Sequence, residues 1–367
     1  MTVPHRLPLV HLGIFLLILA SLSCQISAGA GLSPARVATL TTSPEFQNPA
    51  SWISVYFTDP ASPSSQSLRG GPDGDLAEAI RAARAGVDVA VLQLNLWSVR
   101  DALLEAHRRG VRVRMVTDSD YLDIPEVQTL IEAGISVRGD RREGLMHNKF
   151  VVIDRQEVWT GSMNFTISEA YRNNNTLVRI RSTQLAQNYT AEFEEIFAAD
   201  QFGPDSPADT PNPLLTIDGT QVENCFSPDD GCTARLRALV ERASRSILFL
   251  AYSFTSDELA EALIESAARG VTVQGVMESS QVASNQGTEW ALFRLAGLDV
   301  RKDSNPNQMH EKVILIDDQI VALGSFNFTY SAETRNDENL LIFHNSQIAA
   351  LYRAEFEHLF SQAVGPE

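Results

Sequence analysis

The sequence predicts an α/β protein of two duplicated lobes, each a mixed, mostly parallel sheet flanked by helices, related by a pseudo-two-fold axis. Three observations carry this prediction. Short apolar runs alternate with helical patterns twice along the chain. The segment Met146-His147-Asn148-Lys149 recurs 163 residues later as Met309-His310-Glu311-Lys312. Between the copies lies a proline-dense break, Gly203-Pro204-Asp205-Ser206-Pro207 through Pro211-Asn212-Pro213, which neither a helix nor a central strand tolerates.

Taken from the start, Met1 to Cys24 reads as an export signal, with Arg6 as its formal charge and Leu12 to Ala20 as its apolar run. That run is short for a membrane span, which needs about 20 apolar residues. Cys24 closes Ser21-Leu22-Ser23-Cys24, a stretch similar to a bacterial lipoprotein signal except for Ser21 and the bulky Leu22. A product lipid-anchored through Cys24 at the cell envelope and a simply secreted one both fit. Residues 25–50 are rich in Ser, Ala, Thr, Gly and Pro and form a tether. Lobes are expected at 51–203 and 216–365, joined by a linker at 204–215. Cys225 and Cys232 form an even pair in an exported chain, so a disulfide is expected to close the short loop between them.

Within the first lobe, Leu76 to Ala85 is helical in pattern and Val87 to Leu94 is an apolar strand. Asp101 to Arg109 is a helix stopped by Gly110, Val111 to Thr117 a strand, and Pro125 to Ala133 a helix stopped by Gly134. A hairpin follows, from Lys149 to Ile153 and Glu157 to Thr160, turning at Asp154. The second lobe repeats the order: helix Leu236 to Ala243, strand Ser246 to Ser253, helix Glu258 to Arg269, strand Val271 to Met277, helix Glu289 to Ala296. Its hairpin runs from Lys312 to Leu323.

The duplicated segment carries the chemistry. Each copy reads His-x-Lys, four residues, Asp, six residues, Gly-Ser-x-Asn: His147, Lys149, Asp154, Gly161, Ser162 and Asn164, then His310, Lys312, Asp317, Gly324, Ser325 and Asn327. His and Lys two apart share one face of a strand, whereas Asp154 and Asp317, at odd spacing, leave the pocket and serve the turn. A lone histidine would be read as a core residue. Here each His-x-Lys enters an apolar strand, and burying a lysine costs several kcal/mol unless an anion faces it. A phosphate is the natural anion. Lysine beside each histidine opposes a cation, so neither a metal nor another cofactor is expected.

One pocket between the lobes then predicts a two-step displacement at phosphorus. One histidine attacks and forms a phosphohistidine, and the other protonates the leaving alcohol and later deprotonates water. Lys149, Lys312, Asn164 and Asn327 hold the phosphoryl oxygens; Ser162 and Ser325 either help or shape the loop. Trp97, Asn95, Tyr252 and Phe254, near strand ends, read first as core packing and second as lining of a substrate mouth.

The paired motifs resemble the HKD motifs of the phospholipase D superfamily over about residues 50–365, most closely its small bacterial phospholipase D-like and endonuclease-like members. That resemblance implies a bilobal fold, a phosphohistidine, no metal, and attack by the first-half histidine, His147, with His310 as acid. It also implies that Glu338, in Arg335-Asn336-Asp337-Glu338-Asn339, braces a histidine. The first half has Asn175 at that place, so the two histidines are expected to be electrostatically unequal.

The formal net charge of −17 leaves no broad basic surface for a long polyanion. Hydrolysis of a phospholipid head-group ester is therefore the leading expectation, by a monomer holding both half-sites and touching a membrane surface. A secreted nuclease on the same scaffold is the alternative; lipid synthesis and a catalytically silent phosphate-binding module rank behind.

Overall fold

The computed structural model describes residues 51–365, so the expected export signal, the tether and Cys24 lie outside the described residues. Among the described residues no helix is long and apolar enough to cross a membrane. Two mixed sheets dominate and belong to one compact unit.

The first sheet contains β1 (Ile53–Phe57), β2 (Gly86–Val91), β3 (Arg112–Thr117), β4 (Ser136–Gly139), β5 (Lys149–Ile153), β6 (Glu157–Gly161) and β7 (Thr176–Arg181). Their spatial order is β1-β7-β6-β5-β2-β3-β4. The second contains β8 (Leu214–Ile217), β9 (Thr220–Ser227), β10 (Ser246–Ala251), β11 (Thr272–Met277), β12 (Asp299–Lys302), β13 (Lys312–Ile316), β14 (Ile320–Gly324) and β15 (Glu338–His344). Its order, β12-β11-β10-β13-β14-β15-β9-β8, repeats the first with one hairpin strand added at the edge. That added strand starts at Leu214, inside the segment expected to be linker.

The expected mixed sheets are present, but parallel pairing is confined to β2-β3-β4 and β10-β11-β12. All other neighbours pair antiparallel. The cause is connection length. Only the β2-to-β4 and β10-to-β12 segments carry crossover helices, whereas β5-β6 and β13-β14 join through tight turns that force antiparallel pairing.

The crossover helices form for local reasons. Along Trp97–Arg108, Val99, Ala102, Leu103 and Ala106 are buried at helical spacing, and Gly110 at φ +86° ends the segment. Asp257–Ala268 repeats this with Leu259, Ala262, Leu263 and Ser266 buried, a Ser256 cap, and Gly270 at φ +94°. These helices cover the outer sheet faces over two separate cores. On the inner faces, Phe150, Tyr189 and Phe193 of the first lobe share a third core with Phe226, Phe343 and Tyr352 of the second. Each sheet is thus covered on both faces, as alternating strands and helices require.

The contacts between lobes are reciprocal. Met146 bridges Asp337, and Met309, its counterpart, bridges Asn174, the counterpart of Asp337. The Tyr189 hydroxyl donates to Asn339 Oδ1 at 3.1 Å, while Thr176 and Tyr352, at the equivalent places, share a 2.8 Å hydrogen bond. Contacts in which i meets j′ and j meets i′ are the signature of two-fold symmetry.

Candidate active site

Both His-x-Lys pairs sit at the start of the central antiparallel strands. Lys149 opens β5 and Lys312 opens β13, followed by the fully buried Phe150-Val151 and Val313-Ile314. The lysines are 0% and 1% exposed, and each Nζ donates at 2.7 Å to the carbonyl of its own motif histidine. The motif glycines allow the next turn of chain to close. A Cβ on Gly161 would collide with the Thr176 carbonyl oxygen, and one on Gly324 with that of Asn339.

The histidines are held across the lobes. His147 Nδ1 lies 2.7 Å from Glu338 Oε2, on β15 of the second lobe. His310 Nδ1 lies 3.1 Å from Asn175 Oδ1 and 3.2 Å from Glu169 Oε2, both from the first lobe. An ionised carboxylate only accepts, so each Nδ1 carries the proton and each Nε2 keeps its lone pair. Glu169 is fixed in turn: Asn164 Nδ2 donates to Oε1 at 3.0 Å and Asn175 Nδ2 to Oε2 at 2.6 Å. Ser162 donates to Asn175 Oδ1 at 2.8 Å and so sets the orientation of that amide.

Glu169 corrects one expectation. One of the two histidines was expected to lack a full carboxylate partner because Asn175 stands where Glu338 would; it is His310, and Glu169 supplies a carboxylate from the helix Ile167–Tyr171. A signal for it existed in the alignment of the halves. Glu169 faces Ala332 at the same offset that sets Asn175 against Glu338, so the missing acid is matched by a surplus one six residues earlier.

The charges interact strongly because water is excluded. Burial pulls His310 down, Glu169 pushes it up and Lys312 and Lys149 pull it down again, leaving it at about 4. His147 is also lowered, first by burial, with Glu338 opposing and Lys149 and Lys312 adding to the drop. Burial brings Lys149 down to about 8 against the raising effect of Glu338 and Glu169, and pulls Lys312 well below the ordinary lysine value with the help of Lys149. Glu169 falls below its ordinary range: burial raises it, but His310, Asn164 and Asn175 outweigh that. Two lysines and two imidazoles that feel one another form one site, and an anion would relieve their repulsion.

Other motif residues divide between pocket and frame. Asp154 accepts from the backbone N–H groups of Arg84, Ala85 and Gly86 at 2.9, 2.7 and 3.0 Å, and Asp317 does the same for Ser244, Arg245 and Ser246. They leave the pocket, as their spacing requires. Ser325 accepts from Asn339 N at 2.9 Å and, like Ser162, shapes the loop. Asn164 has one N–H committed to Glu169, which the sequence did not foresee, and its Oδ1, like that of the half-buried Asn327, has no partner among the described residues. Tyr252 belongs to the site: its ring lies 4.5 Å from that of His310 and 4.8 Å from Lys312 Nζ. Phe254 is core, Asn95 accepts from Ile167 N, and Trp97 is exposed, against the packing role expected of it. Its helix starts four residues earlier than expected and turns the ring outward. The Cys225 and Cys232 sulfurs are bonded, with Cα atoms 5.9 Å apart.

A family model described as "Cardiolipin synthase, PLD-like domain" matches residues 76–197 and again 236–360, one match in each lobe. The chain belongs to the phospholipase D superfamily. Relatives named Phospholipase D and Mitochondrial cardiolipin hydrolase indicate a phosphodiesterase-type hydrolase. It is 37% identical over 139 residues to a protein named Phospholipase D from Rickettsia conorii, covering 38% of this chain and 69% of that one. It is 35% identical over 131 residues to Mitochondrial cardiolipin hydrolase from Homo sapiens, covering 35% of this chain and 51% of that one. The crystal structure of phosphatidylserine synthase from Haemophilus influenzae matches 85% of this chain and 87% of its own, with a TM-score of 0.64 at 14% identity, a likeness of fold.

Proposed function

We propose that this superfamily member is an exported, metal-independent hydrolase that cleaves the head-group phosphodiester of a phospholipid through a phosphohistidine. The observation that carries the proposal is the reciprocal seating of the histidines. Each Nδ1 is anchored on the opposite lobe, which leaves two Nε2 atoms for one diester, beside two buried lysines. The names of the Rickettsia and human relatives support a lipid substrate. The acidic balance of the chain argues against a long nucleic acid, and the apolar run before Cys24 supports export.

His147 Nε2 attacks phosphorus, and the bond to the head-group oxygen breaks. His310, protonated through Nε2, gives that proton to the departing alkoxide. The bound phosphate raises the affinity of His310 for its proton above that of the empty site. Water then loses a proton to His310, attacks phosphorus and releases phosphatidate and free His147. Lys149, Lys312, Asn164 and Asn327 neutralise charge on the oxygens in flight. Two buried ammonium groups repel a metal ion, so the lysines do here what a metal does elsewhere.

The test is head-group release from phosphatidylcholine and phosphatidylethanolamine vesicles in EDTA, run beside plasmid nicking. Choline or ethanolamine release is expected, and loss of it in His147→Asn and His310→Asn. Nicked plasmid with intact vesicles would replace the lipid reading with a nuclease.

A further inference from the structure

We infer that Glu169 is the positioning residue of His310, a transposed equivalent of the Glu338 that holds His147. This deepens the proposed reaction and rests on it. The two halves place their carboxylates differently on one plan. In the second half the acid sits on the strand after the motif, at Glu338, with Ala332 on the preceding helix. In the first half the strand-edge residue is Asn175, and the acid has moved to Glu169 on that helix. Both solutions bring a carboxylate oxygen to Nδ1 of the opposite lobe's histidine, at 2.7 Å for His147 and 3.2 Å for His310.

Three features separate a positioning role from a merely buried charge. Glu169 is 6% exposed, and an isolated carboxylate there would cost several kcal/mol. Its oxygens take up donors from Asn164, Asn175 and His310, so it is fully engaged only with the imidazole present. Asn175 acts as a bracket: its Nδ2 donates to Glu169, and its Oδ1 faces Nδ1 of His310 and accepts from Ser162. Asparagine plus a helix-borne glutamate thus do together what Glu338 does alone. The second half also lacks a counterpart of the Asn164–Glu169 contact among the described residues, because Ala332 stands where Glu169 would and carries no acceptor for Asn327. The charged and titratable groups facing His310 are Glu169 from the helix, Lys312 beside it, Lys149 from the other lobe, and the Tyr252 ring. Glu169 is the group among them that favours the imidazolium.

The test is a transposition. In the full chain, Glu169→Gln and Glu169→Ala are compared with the double variant Glu169→Ala/Asn175→Glu, which gives the first half the second half's arrangement. The single variants are expected to lower kcat on the order of 10²-fold with little change in KM, and to move the alkaline limb of the kcat profile to lower pH. The double variant is expected to return to within about tenfold of the parent, with its limb restored. Imidazole NMR supplies a readout independent of turnover: in Glu169→Gln the His310 ring should protonate about one unit or more lower, and His147 should move less. Glu169→Gln is nearly isosteric, so a melting curve identifies it as folded even if Glu169→Ala is not. An unmoved His310 titration, or folded single variants with the parent's kcat and limb, overturns the inference. A double variant no better than Glu169→Ala does the same. A parent chain that cleaves no diester while the His310 titration shifts as expected sinks the proposed reaction and leaves the pairing standing.

Discussion

Glu338 on β15 accepts a 2.7 Å hydrogen bond from Nδ1 of His147, so the first lobe's histidine is oriented by the second lobe. Both groups are buried, and the site's other carboxylate, Glu169, is engaged by His310, Asn164 and Asn175. Glu338→Gln keeps the shape and removes the charge. Its kcat is expected to fall on the order of 10²-fold or more, with KM nearly unchanged, in steady-state kinetics on a soluble diester.

The lysines set a ceiling on pH. Burial lowers Lys149 to about 8, and a lysine binds anions only while protonated. Its contribution is present below that value and lost as pH rises through it. In the free-enzyme profile, kcat/KM, a loss centred near about pH 8 is expected in addition to those set by His310 and Lys312, and Lys149→Met is expected to remove that step along with about 10²-fold or more of kcat/KM.

Asp154 and Asp317 work on stability. Each stands at positive φ in its hairpin turn, φ +53° in both cases, and collects three backbone N–H groups. Asp154→Ala or Asp317→Ala leaves those donors unmet, and urea unfolding is expected to show a loss of about 1–3 kcal/mol each. Burial raises both carboxyls, but the amides outweigh it and hold them below their ordinary value. This support is therefore complete above the ordinary carboxylate range, near about 3.9, and disappears as pH falls through the lower folded value.

Gly161 answers a different constraint. Alanine there meets the Thr176 carbonyl and must push β6 from β7, which also displaces Ser162 from Asn175. Gly161→Ala is expected to lower stability by about 1–3 kcal/mol, read by thermal melting, and Gly324→Ala to do likewise.

Much of this site was readable from the chain because repetition is a long-range signal. The His-x-Lys strands, the turn aspartates and the glycine-serine loops each appear twice at one spacing, and parity alone sent Asp154 away from Lys149. The crossover helices announced themselves by apolar period and terminal glycine. The outer strands did not: β1, β7, β9 and β15 are defined by pairing across more than 100 residues in the case of β1 with β7 and of β9 with β15, which no local pattern encodes. Glu169 escaped for a related reason. Its partner is 141 positions away in His310, and its own surroundings, Ile167-Ser168-Glu169-Ala170, look like any helix start. Tyr252 read as packing because nothing local distinguishes a ring under a lysine from one in the core.

The reciprocal seating of the two histidines has a genetic side. In a homodimer of identical subunits every codon change strikes both half-sites at once, so an acid cannot migrate without leaving two imidazoles bare in the interim. Joining the halves in one reading frame lifts that penalty, since either copy can experiment while the other stays fixed. The displaced glutamate of the first lobe is a change that a tandem gene tolerates, and it leaves one pocket whose two-fold-related halves are free to specialise.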